Sequence, residues 1–257
     1  MGAACANRPA GLVRAAAHDL IVRRLVPLAA GAAAAAHWAP APAAFVPGLA
    51  SAFGIPTRAP AGDGVVLSFD DGPHAKGTPA VLAELEKAGA HAVFFVCGEQ
   101  VERQPEIVRD VLAAGHEVGL HGYRHQTRRH SSRSLLRDDT RRSIDAVGAA
   151  TGLSPRLYRP PHGVFSLPGL RVIENFGLEP LLWSKWGRDW QARATPSAIA
   201  RRATARIAAR DVILLHDADY YSARDSWRAT AAALPLIFEA IEQAGLKTQR
   251  WADGPPG

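Results

Sequence analysis

The sequence has little cysteine and little lysine, and both shortages restrict what the protein can be. Cys5 and Cys97 are the only cysteines in 257 residues, and Cys97 lies in an apolar run typical of a strand, so a disulfide framework is excluded. Only four lysines are present, and the net charge of +6 comes almost wholly from arginine. The arginines are scattered and no row of aromatic residues accompanies them. Attraction to an anionic surface is compatible with this pattern, but a nucleic-acid partner is not predicted.

Charged residues are absent from residues 25–57, and four arginines precede this segment: Arg8, Arg14, Arg23 and Arg24. Its alanine-rich middle, residues 28–36, fits the apolar region of a signal peptide or a weak membrane anchor that leaves the rest of the chain outside. Pro27, Pro40 and Pro42 interrupt any span, so a disordered leader or a packed helix is the alternative. We predict a leader over residues 1–60, a folded domain over 61–252 and a tail over 253–257.

From Gly64 onward the chain alternates strand and helix patterns, without an internal repeat. Strands are predicted over residues 65–69, 92–97, 117–121, 157–159, 178–183, 212–216 and 246–250. Helices are predicted over residues 78–88, 101–114 with a break at Pro105, 135–151, 167–176, 195–208 and 227–244. About seven β/α units predict an α/β fold with a parallel sheet, closed or nearly closed into a (β/α)7-type barrel. Functional residues should then lie at the carboxyl ends of the strands.

The first predicted strand ends in Ser-Phe-Asp-Asp-Gly-Pro, which places Asp70 and Asp71 side by side. Neighbouring side chains on a strand point to opposite sides, and two ionised carboxylates in a dry site repel each other. A divalent cation would remove the repulsion and give the residues different tasks, one on the metal and one facing substrate. The alternative is a solvated Asp-Asp-Gly-Pro turn.

His121 and His125 follow the third predicted strand, four residues apart. On a helical turn this spacing puts both imidazoles on one face, where they could share a cation. With Asp71 they form a set of two histidines and one carboxylate that leaves positions open for water or substrate. Taken alone, the spacing fits two unrelated surface histidines equally well. His130, beside Arg128 and Arg129, is interpreted as part of a solvated loop.

Arg-Pro-Pro-His-Gly follows the next predicted strand. The two prolines stiffen the backbone, and Gly163 allows a turn or a close approach to a ligand. The backbone N–H of His162 could then face a developing oxyanion. Arg159 could hold Asp70 through a bidentate pair. A structural ion pair and an ordinary turn are the alternatives.

Two further strand ends carry candidate residues. Three tryptophans lie within residues 183–190, where indole faces could line a sugar-binding cleft or pack in the core. Asp189, in the same stretch, could hydrogen-bond an imidazole and raise its pKa. The apolar run 212–215 delivers His216 to the rim, where it could donate a proton to a leaving group. A satisfied core histidine is the alternative.

These motifs, in this order between residues 64 and 250, resemble the polysaccharide deacetylases of the NodB-homology type, carbohydrate esterase family four. The resemblance implies a distorted (β/α) barrel hydrolase that removes N-acetyl or O-acetyl groups from sugars with a divalent metal, usually zinc, with Co²⁺, Ni²⁺ or Mn²⁺ as alternatives. It further implies roles for individual positions: Asp71, His121 and His125 as metal ligands, Asp70 as general base oriented by Arg159, His216 as general acid tuned by Asp189, and Leu214 with Trp190 lining the pocket for the acetyl methyl.

The sequence departs from the family pattern at two points. The family more often has tyrosine where His162 stands; a backbone oxyanion donor survives this change, whereas contacts to the sugar need not. The stretch 183–189 also lacks an earlier acidic residue that is frequent in that motif, which affects the tuning of the acid and the shape of the subsite.

The expected partner is an N-acetylated glycan of the cell envelope, such as peptidoglycan, a chitin-like chain or a capsular glycan, with membrane association through the N-terminal segment as an option. The rival functions are an O-acetyl esterase acting on glycans, a hydrolase of small non-sugar amides in a closed pocket, and a glycan-binding domain without catalysis. The intact pair Asp70 and His216 speaks against the last of these.

Overall fold

The structure is a computed structural model that describes residues 30–127 and 132–251. The chain divides into two compact units, residues 1–39 and 40–257. In the first unit, residues 30–37 are helical. The predictions made for Cys5, for the arginines before residue 25, for His130 and for the tail lie outside the described residues. Within the described part, no helix has both the length and the apolar character needed to cross a bilayer.

The second unit is built on one seven-stranded sheet in which every neighbouring pair of strands is parallel. Its strands are β1 (Val66–Asp70), β2 (Ala92–Val96), β3 (Glu117–Leu120), β4 (Leu157–Tyr158), β5 (Glu179–Pro180), β6 (Lys185–Trp186) and β7 (Val212–His216). The order across the sheet is β5-β4-β3-β2-β1-β7-β6. This confirms the predicted α/β fold with a parallel sheet.

The connection between the two edge strands shows that the sheet is strongly curled. β5 and β6 lie at opposite edges, yet only residues 181–184 separate them in the chain. Five extended residue steps span at most about 18 Å. A flat sheet of this width would hold its edge strands about 29 Å apart, from six spacings of about 4.8 Å. The sheet must therefore curl towards closure, which agrees with the predicted barrel-like architecture.

Helices connect the strands: α1 (Leu49–Ala52), α2 (Gly77–Lys87), α3 (Gly98–Arg103), α4 (Pro105–Ala113), α5 (Arg133–Thr151), α6 (Leu167–Glu174), α7 (Pro196–Ala203) and α8 (Ser226–Gln243), with 3-10 turns over Ala41–Ala44 and Pro161–Gly163. The predicted break at Pro105 is confirmed, since this proline starts α4. Gly152, at φ 74°, ends α5 in the left-handed conformation that glycine adopts without strain.

The core lies on both faces of the central strands. Every residue of β1 and β2 is buried, and Phe69 stacks on Phe94 with ring centroids 5.1 Å apart. On α2, Val81 and Leu85 face this core, as their spacing predicts. Central strands that are buried on both faces have continuous apolar sequences, so these strands can be predicted from the sequence.

Three predictions of individual elements are wrong in extent. Only Glu179–Pro180 of the predicted strand 178–183 pairs in the sheet, because the Leu182 N–H donates to the Pro56 carbonyl instead. Residues 246–250 form a single bridge, Val65 with Thr248, rather than a strand. The helix predicted over 195–208 ends at Ala203, before the left-handed backbone of Arg206 at φ 51°. The short strand β6 was not predicted.

Residues 40–60 belong to the second unit, although their composition predicts that they are part of a leader. Ala43, Ala50, Ile55 and Ala59 are buried among the core residues. Backbone hydrogen bonds fix the same segment to the domain, for example from the Ala59 N–H to the Arg210 carbonyl at 2.8 Å. The compact unit therefore begins before the boundary inferred from composition.

Candidate active site

The carboxyl ends of β1, β3 and β7, with the loops that follow β4 and β6, surround a cavity of about 360 Å³. Eight of the ten residues predicted from the sequence line it: Asp70, Asp71, His121, His125, His162, Trp190, Leu214 and His216. The remaining two, Arg159 and Asp189, are fully buried directly behind it and contact Asp70 and His216. The structure thus brings the whole predicted set together at one end of the sheet.

Asp71, His121 and His125 form the one group in the described part of the chain whose ligand atoms could hold a metal ion, all within 4.8 Å of one another. The Nε2 atoms of both histidines lie 3.4 Å from Asp71 Oδ1. Asp71 reaches this position in a left-handed backbone conformation at φ 80°, which is strained for a residue with a Cβ.

The chemistry of this trio fits a divalent cation. Asp71 Oδ1 is buried and has no hydrogen-bond partner within the described residues. Burial alone would raise the pKa of Asp71, but the facing imidazoles lower it to about 2, so the carboxylate is ionised. Burial lowers the pKa of His125 to about 3, against the attraction of Asp71, so this imidazole is neutral and its lone pair is free to coordinate. An ionised, unsatisfied oxygen beside the neutral imidazole of His125 and the Nε2 atom of His121 is a cation site.

The orientation of His121 is fixed by the loop after β4. Its Nδ1–H donates to the backbone carbonyl of Arg159 at 2.8 Å. In the neutral imidazole this bond leaves the lone pair on Nε2, which is the atom nearest Asp71. Metal-binding histidines are commonly held by such a bond from the second ring nitrogen.

The segment from His121 to His125 is a loop and not the helical turn assumed from the spacing. Gly122, at φ 80°, leaves the helical region, and the Tyr123 N–H donates to Asp139 on α5 at 2.7 Å. The two imidazoles nevertheless meet, with ring centroids 5.3 Å apart. A loop held by Asp139 therefore brings the two imidazoles together, as the predicted helical turn would have done.

Arg159 contacts Asp70, though not through the predicted bidentate pair. Only Nη1 reaches the carboxylate, at 2.7 Å from Oδ1, and the same nitrogen donates to Ser68 Oγ. The other guanidinium nitrogens donate to the carbonyls of Leu181 and Leu182, both at 3.1 Å. The second carboxylate oxygen of Asp70, Oδ2, is therefore not bound by Arg159 and lies 3.8 Å from His121 Nε2 in the cavity.

His216 and Asp189 form a buried ion pair at the carboxyl end of β7. His216 Nδ1 lies 2.9 Å from Asp189 Oδ1, and Asp189 Oδ2 accepts from the His216 N–H and from Thr230 Oγ1, each at 2.7 Å. Burial opposes the charged form of His216, but the Asp189 carboxylate raises its pKa to about 10. The imidazole is thus a cation at neutral pH, with Nε2–H as its remaining donor.

Strand register places the two halves of the site side by side. Asp70 on β1 is the register partner of His216 on β7, and Ser68 is the partner of Leu214. Register partners in neighbouring strands project to the same face of a sheet. A carboxylate and a protonated imidazole therefore flank one space.

The remaining predicted residues complete the walls. His162 adopts φ 58° and its ring meets that of His125 edge to face at 4.4 Å. The Trp190 ring lies 5.5 Å from His216, and Leu214 is almost fully buried beneath them. The oxyanion role predicted for the His162 N–H stays a prediction.

Three lining residues were not predicted from the sequence: Phe45, Tyr221 and Ser222. Tyr221 stacks on His125 with ring centroids 4.3 Å apart and an interplanar angle of 11°, and its hydroxyl donates to Glu99 at 2.8 Å. It covers one face of the imidazole and fixes the plane of the ring. The Tyr-Tyr pair shortly after His216 was the available signal, since aromatic residues near a rim histidine can border the same cleft.

Comparison with known proteins identifies similar chains. The family model described as polysaccharide deacetylase matches residues 57–181. The chain is 34% identical over 200 residues to a chitooligosaccharide deacetylase of Sinorhizobium fredii, covering 74% of this chain and 91% of that one. It is 30% identical over 181 residues to a peptidoglycan-N-acetylglucosamine deacetylase of Listeria monocytogenes, covering 70% of this chain and 36% of the relative. The chain therefore spans about a third of the length of the Listeria protein.

A solved structure agrees with the same grouping. The family 4 carbohydrate esterase of Streptomyces lividans, in complex with acetate, superimposes with a TM-score of 0.65 and 30% identity, covering 72% of this chain and 91% of that one. The family-model match contains Asp71, His121, His125 and Arg159, whereas Asp189 and His216 lie beyond it.

Proposed function

This chain belongs to the polysaccharide deacetylase family, and we propose that it hydrolyses N-acetyl groups on N-acetylglucosamine-type residues of a cell-envelope polysaccharide. The observation that carries the proposal is the pairing, beside one cavity, of the Arg159-bound carboxylate of Asp70 on β1 with the protonated imidazole of His216 on β7. Amide hydrolysis needs both, since water must lose a proton as it attacks and the departing nitrogen must gain one. The deacetylase names of the relatives support the same reaction.

Asp71, His121 and His125 would hold the divalent ion, and zinc suits two imidazoles and one carboxylate best. Such an ion supplies Lewis-acid activation of water and of a carbonyl oxygen. Every other contribution comes from the residues around the trio.

Asp70 is the general base in this proposal. Because Arg159 occupies Oδ1, Oδ2 is the atom that takes the proton from the attacking water. As water adds to the acetyl carbon, the His162 N–H donates to the developing oxyanion. His216 then gives its Nε2 proton to the amide nitrogen, the carbon–nitrogen bond breaks, and acetate and a free amine leave. Leu214 and Trp190 form the apolar wall against which the acetyl methyl packs.

Replacing Asp70 by asparagine tests the assignment, because the side chain keeps its shape but no longer accepts the proton. With the zinc-loaded full chain, acetate release from N-acetylglucosamine oligomers should fall at least about a thousandfold. Zinc binding, measured by isothermal titration calorimetry, should persist because the Asp71 trio is intact. Asp63→Asn is the matched control, since Asp63 is an exposed carboxylate away from the cavity.

The substrate panel separates the rival reactions. Peptidoglycan, N-acetylglucosamine oligomers and acetylated xylan would be compared by the acetate that each releases. If only acetylated xylan released acetate, the activity would be that of an O-acetyl esterase and not of an N-deacetylase. If Asp70→Asn kept its turnover, Asp70 would not be the general base.

A further inference from the structure

A second cavity of about 310 Å³ adjoins the active-site cavity. Its lining consists of Ala44, Phe45, Trp183, Ser184, Trp186 and Arg188. Three of these residues, Phe45, Trp183 and Trp186, also line the active-site cavity. The two spaces therefore share an aromatic wall.

A row of aromatic rings runs along this wall from the second cavity to the general acid of the proposed reaction. The ring centroids are 5.8 Å apart between Phe45 and Trp186, 5.3 Å between Trp186 and Trp190, and 5.5 Å between Trp190 and His216. The Arg188 guanidinium lies over the Trp186 ring at 4.6 Å. The row combines flat apolar faces with a nearby group of N–H donors.

Phe45 stands out because it is 54% exposed although it lies at the rim of an active-site cleft. The turn that carries it is held in place: the Phe45 N–H donates to the Pro42 carbonyl at 2.9 Å, and Ala44 packs so closely that a Cβ on Gly163 would lie 3.1 Å from its own. The family-model match begins only at residue 57, so Phe45 lies upstream of it. A fixed, exposed aromatic side chain at the entrance of a cleft is a typical ligand contact.

We propose that the second cavity is a subsite for the neighbouring sugar ring of a glycan chain, and that Phe45 gives the enzyme its preference for oligomers over single sugars. The proposal rests on the proposed deacetylase function and adds a specificity-determining residue, Phe45, which lies upstream of the segment that the family model matches. The C–H face of a pyranose ring packs on the Phe45 and Trp186 rings, while Arg188 donates to its hydroxyls. An open row of this kind differs from the closed pocket expected for a hydrolase of small amides.

The test compares glycan substrates of different length. The zinc-loaded full chain would be assayed for acetate release on N-acetylglucosamine and on its pentamer, in wild type, Phe45→Ala and Val46→Ala. Val46 is the matched control because it is 47% exposed beside Phe45 but lines neither cavity. In Phe45→Ala we expect kcat/KM for the pentamer to fall about tenfold more than kcat/KM for the monomer. Val46→Ala should change neither.

A binding measurement separates this proposal from the proposed function. Calorimetric titration of the metal-free full chain with the pentamer reports affinity without turnover, and Phe45→Ala should weaken it about tenfold. Binding that depends on Phe45 in a protein that releases no acetate would retain the subsite and refute the deacetylase. Acetate release with an unchanged pentamer-to-monomer ratio in Phe45→Ala, or an equal loss on both substrates, would overturn the subsite.

Discussion

At the scale of single residues, each proposed catalytic group is oriented by atoms from elsewhere in the fold. Asp70 is held by Arg159, His121 by the Arg159 carbonyl, and His216 by Asp189. These supporting contacts are buried, so their electrostatic effects are strong. The pair His216 and Asp189 shows this most clearly, because the carboxylate reverses the effect that burial alone would have on the imidazole.

Asp189→Asn should convert His216 from a cation to a neutral imidazole at about pH 8, because burial then lowers its pKa against only the smaller effects of Asp71 and Asp70. In the metal-free wild type the pKa is raised from 6.5 to about 10, so this group stabilises the fold fully below pH 6.5 and the contribution is lost as pH rises towards 10. The variant should lack this pH dependence of the free energy of unfolding. Proton NMR of the His216 ring reports its titration directly.

Thr230→Val serves as the control, since it removes one hydrogen bond to Asp189 but leaves the carboxylate charge. Its His216 should still titrate far above 6.5. A His216 that titrates alike in wild type and in Asp189→Asn would show that the carboxylate does not hold the proton.

All ten candidate residues predicted from the sequence lie together in one site. The direction of the strands explains why. Each follows or belongs to a strand pattern, and parallel strands deliver their carboxyl ends to the same edge. Phe45 and Tyr221 were missed because turns and loops bring them to the cavity, and neither segment has a periodicity that fixes where its side chains lie. The single-nitrogen contact of Arg159 also had no sequence signal, since its other donors bind backbone carbonyls that any residues could provide.

At the scale of elements, strands that are fully buried were predicted more accurately than short or partly exposed ones. The boundaries of β7, Val212–His216, were predicted without error because the strand is one apolar run among other buried strands. β6 was missed since it contains only Lys185 and Trp186, and its pairing with β7 is decided by the curl of the sheet rather than by composition. Residues 246–250 have a strand-like pattern, but Gln249 bonds to Gly64 and Ala61 through its side chain and one bridge replaces a ladder.

The junction between α2 and the end of β7 leaves no space for a side chain at Gly77. A Cβ there would overlap the backbone carbonyl of Asp217, the residue after His216. Gly77→Ala should therefore lower the free energy of unfolding by about 1–3 kcal/mol and reduce turnover by displacing His216. Urea unfolding and the acetate assay measure the two effects.

The same substitution at Gly148, inside α5, is the matched control. The nearest atom to a Cβ there is the Leu153 carbonyl oxygen at an ordinary 3.9 Å. Alanine favours the helix over glycine, so Gly148→Ala should raise stability by up to about 1 kcal/mol. Equal effects at the two positions would mean that the packing of α2 against β7 is looser than the contacts indicate.

At the scale of the whole molecule, residues 40–60 link the stability of the domain to its proposed chemistry. The Pro56 carbonyl accepts from the Leu182 N–H at 2.9 Å, the Leu182 carbonyl accepts from Arg159, and Arg159 binds Asp70. A chain of three hydrogen bonds thus runs from this segment to the proposed general base. The charge-free composition that suggests a leader gives no indication of such a support, since backbone carbonyls make these contacts.

Two truncated chains, 40–257 and 61–257, test this link. Removal of residues 40–60 exposes the core around Ile55, which alone costs about 1.5–3 kcal/mol, so the shorter chain should unfold at a lower urea concentration. Its turnover should fall on the N-acetylglucosamine monomer as well as on the pentamer, because the support of Arg159 is lost together with Phe45. In the chain 40–257, Phe45→Ala should lower turnover of the pentamer about tenfold more than turnover of the monomer, which separates the subsite from the support. Identical urea midpoints and identical monomer turnover in the two chains would show that the catalytic fold begins at residue 61 and that the contacts through Pro56 contribute nothing.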